Sequence, residues 1–336
     1  MVAEDYLKNI IKWYPWLFLL IVILIIVLNG SYQIWSSRFI PEPGKTIYIA
    51  PGTSLKTMGD ILEKEGIIGS SFYFRVYLWL TGKHKEIKAG FHTFKGIINL
   101  QTATNQLTTG GQGIFLTFPE GLTLMEIESI LKRNGLKADF KKWRLKDFPE
   151  VDLAKYFPPE ATLEGFLAPD SYQFFKEEGE REIILKFLKN FSKKFLPEFL
   201  KQPGTNFYQK LILASLLEKE AKTNEDKALI AGILEKRLKA GKKLEVDASI
   251  AYIRCQIYPC DWNVSKDDLK IASPYNTYLN LGYPPTPISN PGVETIKSAL
   301  NPVESNFWYY LTNKEGKVIF AQTLKEHQNN IKKYLK

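Results

Sequence analysis

An uninterrupted apolar segment near the N-terminus is the feature that most limits how this chain can fold. The 25 residues from Trp13 to Ser37 carry no charged side chain, and those from Trp16 to Leu28 are almost all Leu, Ile, Val or Phe. A helix needs about 20 such residues to cross a bilayer, and the aromatic rings at both ends of the segment are typical of headgroup layers. No small-residue cleavage site clearly follows. The sequence therefore predicts a retained transmembrane helix over 13–37 rather than a cleaved signal peptide.

The charges on either side of this segment indicate its orientation. Lys8, Lys12 and the N-terminal amine precede it, whereas Arg38 and Lys45 follow at a greater distance. Positive charge close to a spanning helix favours the cytoplasmic side. We therefore expect a cytoplasmic tail over 1–12 and a single-pass protein of the inner (cytoplasmic) membrane, with its bulk outside the cytoplasm.

The cysteines and histidines restrict the chemistry. Cys255 and Cys260 could form a small disulfide loop in an oxidising compartment or remain two buried thiols, and the sequence leaves both readings open. Two cysteines are too few for a four-cysteine zinc site, and His84, His92 and His327 show no HExxH spacing. We therefore predict no metal ion and no cofactor.

Overall charge indicates the kind of partner. The 45 Lys and Arg against 36 Asp and Glu give a net charge of +9, which favours nucleic acid, anionic lipid or a carboxylate-rich polymer. Hydrophobic residues make up 45% of the chain, enough for a sizeable core and too many for general disorder. Composition alone does not choose among the three partners.

A strand–turn–helix pattern occurs twice after the apolar segment, over 47–66 and again over 114–135. In each copy an extended apolar run is followed by a Pro/Gly turn, a Ser or Thr helix cap, a short helix and a glycine. The copies lie about 69 residues apart and are too few for a solenoid. We interpret them as small βα modules, and two unrelated βα turns remain the alternative.

A helix predicted over 206–222 carries the first catalytic candidate. Glu218 and Glu220 are two positions apart and so point about 200° from each other, which lets at most one of them share the buried side. Three small residues surround Glu218 on its own face of the helix and would leave a shallow depression around its carboxyl group: Ala214, Ser215 and Ala221. The alternative is a surface glutamate in a solvated Glu-Lys-Glu-Ala-Lys patch.

Two turn-rich stretches supply further polar groups. Residues 164–172 hold two carboxylates and a tyrosine, and residues 273–292 are dense in amides, hydroxyls and rings. Irregular stretches of this length within a compact domain are usually functional or mobile. Tyrosine rings and amides suit sugar recognition. Asp247, by contrast, is most simply read as a helix cap.

Taken in order, these segments resemble the MltG (YceG-like) family of membrane-anchored endolytic murein transglycosylases. The segments that carry the resemblance are Leu-Glu-Gly-Phe-Leu-Ala-Pro-Asp-Ser-Tyr at 163–172, Ala-Ser-Leu-Leu-Glu-Lys-Glu at 214–220, Leu-Glu-Val-Asp at 244–247, Ser-Pro-Tyr-Asn-Thr-Tyr at 273–278, Gly-Tyr-Pro-Pro-Thr-Pro-Ile-Ser-Asn-Pro-Gly at 282–292, Ala-Leu-Asn-Pro at 299–302 and Phe-Ala-Gln-Thr-Leu-Lys-Glu-His-Gln at 320–328. No single segment is diagnostic, but their concurrence over nearly the whole chain is specific. The cysteine pair with its loop 256–262, and Ala-Ser at 248–249, depart from the family pattern.

The resemblance implies an α+β fold with an N-terminal transmembrane helix, LysM-like βα modules and a mixed α+β catalytic domain. The implied divisions are the tail 1–12, the anchor 13–37, the LysM-like module region 38–140 and the catalytic domain 141–336. The family's catalytic glutamate falls on Glu218. Residues implied to position the glycan or stabilise charge are Glu164, Asp247, Asn276 and Tyr278.

The resemblance also implies a reaction. Glu218 would protonate the oxygen that links MurNAc C1 to GlcNAc C4 and would then, as a base, accept the proton of the MurNAc C6 hydroxyl, which closes onto C1 as a 1,6-anhydro ring. No water is consumed, and one carboxyl group suffices. The expected partners are nascent peptidoglycan strands, whose elongation the cut would end, the membrane, and peptidoglycan synthases or division proteins, but not nucleic acid.

Two other functions remain open at this point. A hydrolytic muramidase would use a second carboxylate, Asp247 or Glu164, to activate water. A non-catalytic wall-binding or division scaffold would bind glycan through the βα modules, and Glu218 would then be incidental.

Overall fold

The computed structural model describes residues 2–111, 113–176, 178–255 and 261–335; the side chains of 2–15, 33–35 and 42–43 lie outside that description. The described chain is a mixed α+β structure with small sheets, as the sequence predicts, and divides into two compact units, Met1–Ile114 and Phe115–Lys336. Its helices and strands are, in order, α1 (Val2–Trp35), β1 (Arg38–Ile49), α2 (Leu55–Lys64), α3 (Ser71–Thr81), β2 (Gly90–Ile98), α4 (Leu100–Thr109), β3 (Ile114–Phe118), α5 (Leu124–Arg133), β4 (Asp170–Phe174), α6 (Glu180–Lys194), α7 (Leu196–Leu200), α8 (Phe207–Glu220), α9 (Asn224–Lys239), α10 (Asp247–Arg254), α11 (Val293–Leu300), β5 (Tyr309–Thr312), β6 (Val318–Ala321) and α12 (Leu324–Tyr334).

The apolar segment forms the middle of α1. Its large side chains are exposed, from 47% for Leu19 to 70% for Phe18. Among the residues whose side chains the structure describes, no helix is both long enough and apolar enough to cross a membrane. The predicted anchor, 13–37, includes positions 13–15 and 33–35, whose side chains lie outside that description.

The first unit is built on an antiparallel strand pair. β1 pairs with β2, for example Thr46 opposite Thr93, and the register shifts between Ile40 and Lys45. Three helices, α2, α3 and α4, belong to the same unit and bury their apolar sides with this pair. The innermost side chains are fully buried: Leu62, Phe74, Leu78, Phe94 and Leu107.

Both predicted βα patterns are present as local structure. Ser54 accepts a hydrogen bond from the Thr57 N–H at the start of α2, and Thr123 accepts one from the Glu126 N–H at the start of α5. The glycines that follow the two helices, Gly66 and Gly135, have φ values of +70° and +76°. The second copy lies in the second unit except for the first residue of β3. Their identity as LysM-like modules, and the module region ending at residue 140, stay predictions.

The second unit has an aromatic core around α6. Phenylalanine rings from the loops, helices and strand β3 meet edge to face or tilted, with centroids 5.0–6.0 Å apart: Phe118, Phe157, Phe166, Phe187, Phe191 and Phe199. Such ring pairs stabilise a core beyond the area that they bury. Around them, β3 pairs with β4, and β5 with β6.

The helix predicted over 206–222 is α8, which begins after Asn206, whose side chain accepts a hydrogen bond from the Gln209 N–H. Every residue from Leu211 to Leu217 is buried, because α9, α10 and α11 all pack against this helix. Ser215 Oγ accepts a hydrogen bond from the Ile288 N–H at 3.0 Å. These contacts fix the direction of the last turn of α8, which extends beyond the core. Glu218 and Glu220 in this turn lie in different surroundings.

Candidate active site

Glu218 lies between three elements and has both carboxylate oxygens occupied. Lys227 Nζ, from α9, donates to Oε1 at 2.8 Å. The Gly292 N–H and Thr295 Oγ1, at the start of α11, donate to Oε2 at 2.9 and 2.5 Å. The Glu218 and Lys227 side chains are only 8% and 6% exposed. This pair is therefore a buried ion pair that joins α8, α9 and α11.

The same lysine is satisfied on its other side. Lys227 Nζ also donates to Thr295 Oγ1 at 2.6 Å. A buried ammonium group is costly unless charge and hydrogen bonds compensate it. Lys227, Thr295 and the Gly292 N–H together give Glu218 a closed set of partners, suited to holding a carboxylate in place.

Glu220, two positions along the same helix, faces a cavity of about 660 Å³. The lining comes from α8, α9, α10, β5, α12 and the loops around 245, 262 and 278. It includes Lys219, Arg237, Glu245, Asp247, Trp262, Tyr278, Tyr309, Tyr310 and His327. A concave site with a few convergent polar groups is the usual form of a ligand pocket. Glu220 therefore lines a cavity large enough to receive part of a ligand.

Burial raises the pKa of Glu220 to about 7, and the nearby Asp247 charge adds to the rise. Hydrogen bonds to its carboxyl group from the Tyr310 hydroxyl and the Ala248 N–H act in the opposite direction. A carboxyl group with a pKa near neutrality can both give and take a proton under ordinary conditions. Glu220 is therefore a second acid/base candidate beside Glu218, whose assignment stays a prediction.

Asp247 and Tyr278 meet on the cavity wall. Asp247 is the first residue of α10, and its Oδ1 accepts a hydrogen bond from the Tyr278 hydroxyl at 2.5 Å. Burial raises the pKa of Tyr278, so it stays a hydrogen-bond donor at neutral pH. The sequence-predicted pair Asp247 and Tyr278 therefore lies in one cavity with Glu220.

The segment before α10 is held in an uncommon backbone conformation. Glu245 has φ +54°, which residues other than glycine rarely adopt. Its carboxylate pairs with Arg237 from α9, and its N–H donates to the Thr277 carbonyl at 3.2 Å. Such conformations persist where the surroundings hold them and often occur at functional sites. Here the result is that Asp247 enters the cavity at the start of α10.

Aromatic rings and cations form the remaining walls. Lys219 Nζ lies 3.6 Å from the centre of the Trp262 ring, and burial lowers the pKa of Lys219. Tyr309 stacks on His327 with centroids 5.3 Å apart. Burial also lowers the pKa of His327, which favours its neutral form. Rings of this kind can stack on sugar faces, and the cations can bind carboxylates.

Glu164 lies elsewhere, beside a second cavity of about 380 Å³ that is also lined by Tyr252, Cys255 and Tyr275. Its carboxyl group accepts hydrogen bonds from the Leu124 N–H at 2.9 Å, Asn290 Nδ2 at 3.1 Å and the Tyr252 hydroxyl at 3.2 Å. Burial raises the pKa of Glu164 to about 8. These contacts tie the Glu164 loop to the start of α5, to α10 and to the loop before α11. Glu164 thus lines a different cavity from Glu220.

Asn276 is fully buried, and backbone groups use its amide. Nδ2 donates to the carbonyls of Leu269 and Ile271 at 3.0 and 2.8 Å, and Oδ1 accepts from the Tyr278 N–H at 2.9 Å. The geometry therefore favours a positioning role: Asn276 fixes the turn that presents Tyr278 to the cavity. Direct glycan contact by Asn276 stays a prediction.

The sequence reading missed several residues of this cavity. Glu220 was considered only as the neighbour of Glu218, although their opposite directions were a usable signal. Tyr310 comes eight residues after the segment 299–302, and His327 lies within the segment 320–328. Their spacing in the sequence does not show that they lie in the same cavity as Glu220. Trp262 lies in the loop that departs from the family pattern.

Nothing in the described part of the chain gathers metal ligands: no group of three or more His, Cys, Asp or Glu side chains is placed to hold an ion. Cys255 is disulfide-bonded. Cys260, its predicted partner, lies outside the described residues, as do the other residues of 256–260.

Comparisons with known proteins agree with the sequence resemblance. The YceG-like family matches residues 47–333. The endolytic murein transglycosylase of Bacillus subtilis (strain 168) is 30% identical over 333 residues, covering 92% of this chain and 91% of that protein. The endolytic murein transglycosylase of Streptococcus pneumoniae serotype 2 is 28% identical over 86% of this chain, which spans 58% of that longer protein.

A solved structure agrees as well. The crystal structure of a YceG-like protein from Listeria monocytogenes superposes with a TM-score of 0.52 at 29% sequence identity. The match covers 85% of this chain and 98% of that chain.

Removing the cation from the buried pair should destabilise the protein strongly. Lys227→Met leaves Glu218 buried without its cation, and we expect a loss of about 3–5 kcal/mol in the free energy of unfolding. Denaturant unfolding measures this. Lys297→Met, which removes the exposed partner of Glu294, is the matched control and should leave the free energy of unfolding nearly unchanged. Equal effects of the two substitutions would contradict the anchoring role of the pair.

Glu220 should make stability depend on pH. Its folded pKa of about 7 lies above the ordinary 4.5, so the folded state binds more protons than the unfolded state between these values, and stability falls as pH rises through this window. Glu220→Gln should remove only the part of this fall that belongs to Glu220, because the pKa of Glu164, which burial raises to about 8, keeps its own part. The variant should be more stable than wild type at pH 8 by about 1 kcal/mol or more. Unfolding curves from pH 4 to 8 test this, and an unchanged pH dependence in the variant would refute it.

Proposed function

The chain belongs to the YceG-like family and is a peptidoglycan lytic transglycosylase; on that premise, we propose that it cuts the MurNAc–GlcNAc bond within nascent glycan strands and leaves 1,6-anhydroMurNAc ends. Such a cut would end the elongation of a strand. The observation that carries the proposal is the Glu220 carboxyl group, with its pKa of about 7, facing the 660 Å³ cavity.

Glu220 supplies the proton for the first step. Its protonated carboxyl group donates to the oxygen between MurNAc C1 and GlcNAc C4, the C1–O bond breaks, and the GlcNAc-terminated fragment leaves with a free C4 hydroxyl. Positive charge then develops on the MurNAc ring at C1 and its ring oxygen. The Asp247 carboxylate, held by the Tyr278 hydroxyl, stabilises that charge.

The same carboxyl group completes the reaction as a base. Glu220, now ionised, accepts the proton of the MurNAc C6 hydroxyl, and O6 closes onto C1. The proton given in the first step is recovered in the second, so the enzyme returns to its starting state without water. A single carboxyl group with a pKa near 7 fits both roles.

The cavity walls suit a glycan that carries carboxylates. Trp262 and Tyr309 offer ring faces to the sugars, whereas Lys219 and Arg237 bring positive charge to the lining. Stem peptides of peptidoglycan carry carboxylates, and electrostatic complementarity would draw them to this side of the cavity.

Glu218, to which the resemblance assigns the acid/base role, has a different environment. Its partners are the Lys227 ammonium group, the Thr295 hydroxyl and the Gly292 N–H. Glu220 instead accepts hydrogen bonds from an uncharged hydroxyl and a backbone N–H, those of Tyr310 and Ala248. We propose instead that Glu218 anchors the helix end and that Glu220 reacts. The assignment to Glu218 stays the alternative, and the variants below separate the two.

A hydrolytic muramidase is the second candidate, and one observation favours it: Asp247 shares the cavity with Glu220. Two carboxyl groups across a glycosidic bond can hydrolyse it, one as an acid and the other activating water or acting as nucleophile. Glu164 does not fit this role, because it lies beside the other cavity. The product ends distinguish the reactions, since hydrolysis leaves reducing MurNAc.

We further propose that α1 anchors the protein in the cytoplasmic membrane with the second unit outside the cytoplasm. The exposed apolar side chains from Trp16 to Leu28, and the 25 uncharged residues from Trp13 to Ser37, support this. Peptidoglycan synthases and division proteins working at the same membrane are the expected partners. A scaffold without catalysis is the remaining alternative.

Product analysis tests the reaction. Purified glycan strands are incubated with wild type, Glu220→Gln or Glu218→Gln, and the new ends are identified by mass spectrometry. We expect anhydroMurNAc ends from wild type and a loss of about 10²–10⁴-fold in rate for Glu220→Gln.

Wild-type kcat/KM should fall as pH rises above about 7, because Glu220 must start protonated.

The controls separate the alternatives. Glu218→Gln removes a stabilising contact, so its activity per folded molecule should stay within about tenfold of wild type, well short of the loss of an acid/base group. Reducing MurNAc ends would establish the hydrolase. Full activity of Glu220→Gln, with activity lost only in folded Glu218→Gln, would return the acid/base role to Glu218. No cleavage by wild type in lipid vesicles, with glycan still bound, would establish the scaffold.

A further inference from the structure

The helix α3 in the first unit is apolar on both sides. Phe74 and Leu78 are fully buried in the core of that unit. The opposite side is exposed at four large apolar residues: Phe72 at 56%, Val76 at 38%, Trp79 at 73% and Leu80 at 69%. A helix that is apolar all round is normally buried in a protein or in a membrane. We therefore expect another apolar surface to cover the exposed side of α3.

The position of α3 indicates what that cover is. α3 and α1 pack together in the same unit, with the Tyr73 ring directly beside Gly30. Gly30 lies two residues beyond Leu28, where the apolar run of α1 ends. If α1 crosses a bilayer, α3 begins at the level at which the chain leaves the hydrocarbon.

A second exposed apolar pair lies close to the same level. Phe39 and Ile97 are directly opposite each other in the β1–β2 pair and are 73% and 68% exposed. Phe39 follows Trp35 by four residues, which span at most about 13 Å at roughly 3.3 Å per residue. The apolar surface near the end of α1 is thus not confined to one helix.

The charges near α3 match a lipid surface. α3 contains Arg75 and no acidic residue, and Lys83 and Lys85 follow its last residue, Thr81, by two and four positions, before Glu86. Large apolar side chains combined with neighbouring lysines are the pattern of helices that lie in the interface of anionic membranes. Tryptophan, here Trp79, prefers the same layer.

We propose that the face of α3 formed by Phe72, Val76, Trp79 and Leu80 lies on the lipid bilayer, in the leaflet from which α1 emerges. The apolar side chains enter the boundary between headgroups and acyl chains, to a depth of about 5–10 Å, and the lysines stay among the headgroups. The first unit is then fixed against the membrane at two places, α1 and α3. In one respect the inference rests on the proposed function, because it takes α1 to be the anchor.

Brominated lipids test this on the full chain. The protein is reconstituted into phosphatidylethanolamine–phosphatidylglycerol vesicles with and without lipids brominated near the carbonyl end of the acyl chains. Emission of one tryptophan is obtained by subtracting the spectrum of the Trp→Phe variant from that of wild type. Three such variants are compared: Trp16→Phe in the anchor, Trp79→Phe in α3 and Trp143→Phe in the second unit.

We expect the bromines to quench the Trp16 and Trp79 emission and to leave Trp143 unchanged. Val76→Asp with Leu80→Asp should lower the quenching of Trp79 by about half or more, because carboxylates resist burial among acyl chains, while the quenching of Trp16 stays the same. Trp79 emission that the bromines do not quench, beside quenched Trp16, overturns the inference. This holds whether that emission is red-shifted, as in water, or blue-shifted, as under another protein chain. Absence of quenching at Trp16 would instead refute the anchor itself.

Discussion

The buried ion pair between Glu218 and Lys227 is the interaction on which the rest of the site depends. It joins the end of α8 to α9, and the Gly292 N–H and Thr295 extend the contact to α11. Because both partners are almost wholly buried, breaking the pair leaves a charge without compensation. The orientation of the last turn of α8 is therefore fixed by strong local constraints. Every group that lines the Glu220 cavity from this helix takes its position from that turn.

In the proposed mechanism, two carboxylates on one helical turn have separate tasks. Glu218 is paired with the buried Lys227 ammonium group. The pKa of Glu220 is instead raised by burial and by a second carboxylate, Asp247, on the cavity wall. The first environment holds a charge in place, and the second lets a proton come and go near neutral pH. Separating two like groups by their surroundings is how one short segment can combine rigidity with acid/base chemistry.

The sequence predicts the helix, its bounds to within two residues, and the opposite directions of Glu218 and Glu220, because these follow from helical periodicity. Which of the two faces the cavity depends on partners far along the chain, Lys227 on one side and Tyr310 on the other, and periodicity says nothing about them. Asp247 and Tyr278 were named as site residues only through the family resemblance, and their hydrogen bond to each other was not predicted. Burial of the Asn276 amide among backbone carbonyls, and the distance of Glu164 from this cavity, are likewise tertiary facts that local pattern does not encode.

A crystal structure of the Glu220→Gln variant with a bound peptidoglycan fragment tests the central claim most directly. Our account predicts a glycan in the 660 Å³ cavity, with the oxygen of the scissile bond within about 3.2 Å of the residue 220 carboxamide. Lys227 should remain bound to Glu218 in that complex. A fragment bound with its scissile oxygen at Glu218, or in the Glu164 cavity, would contradict the account.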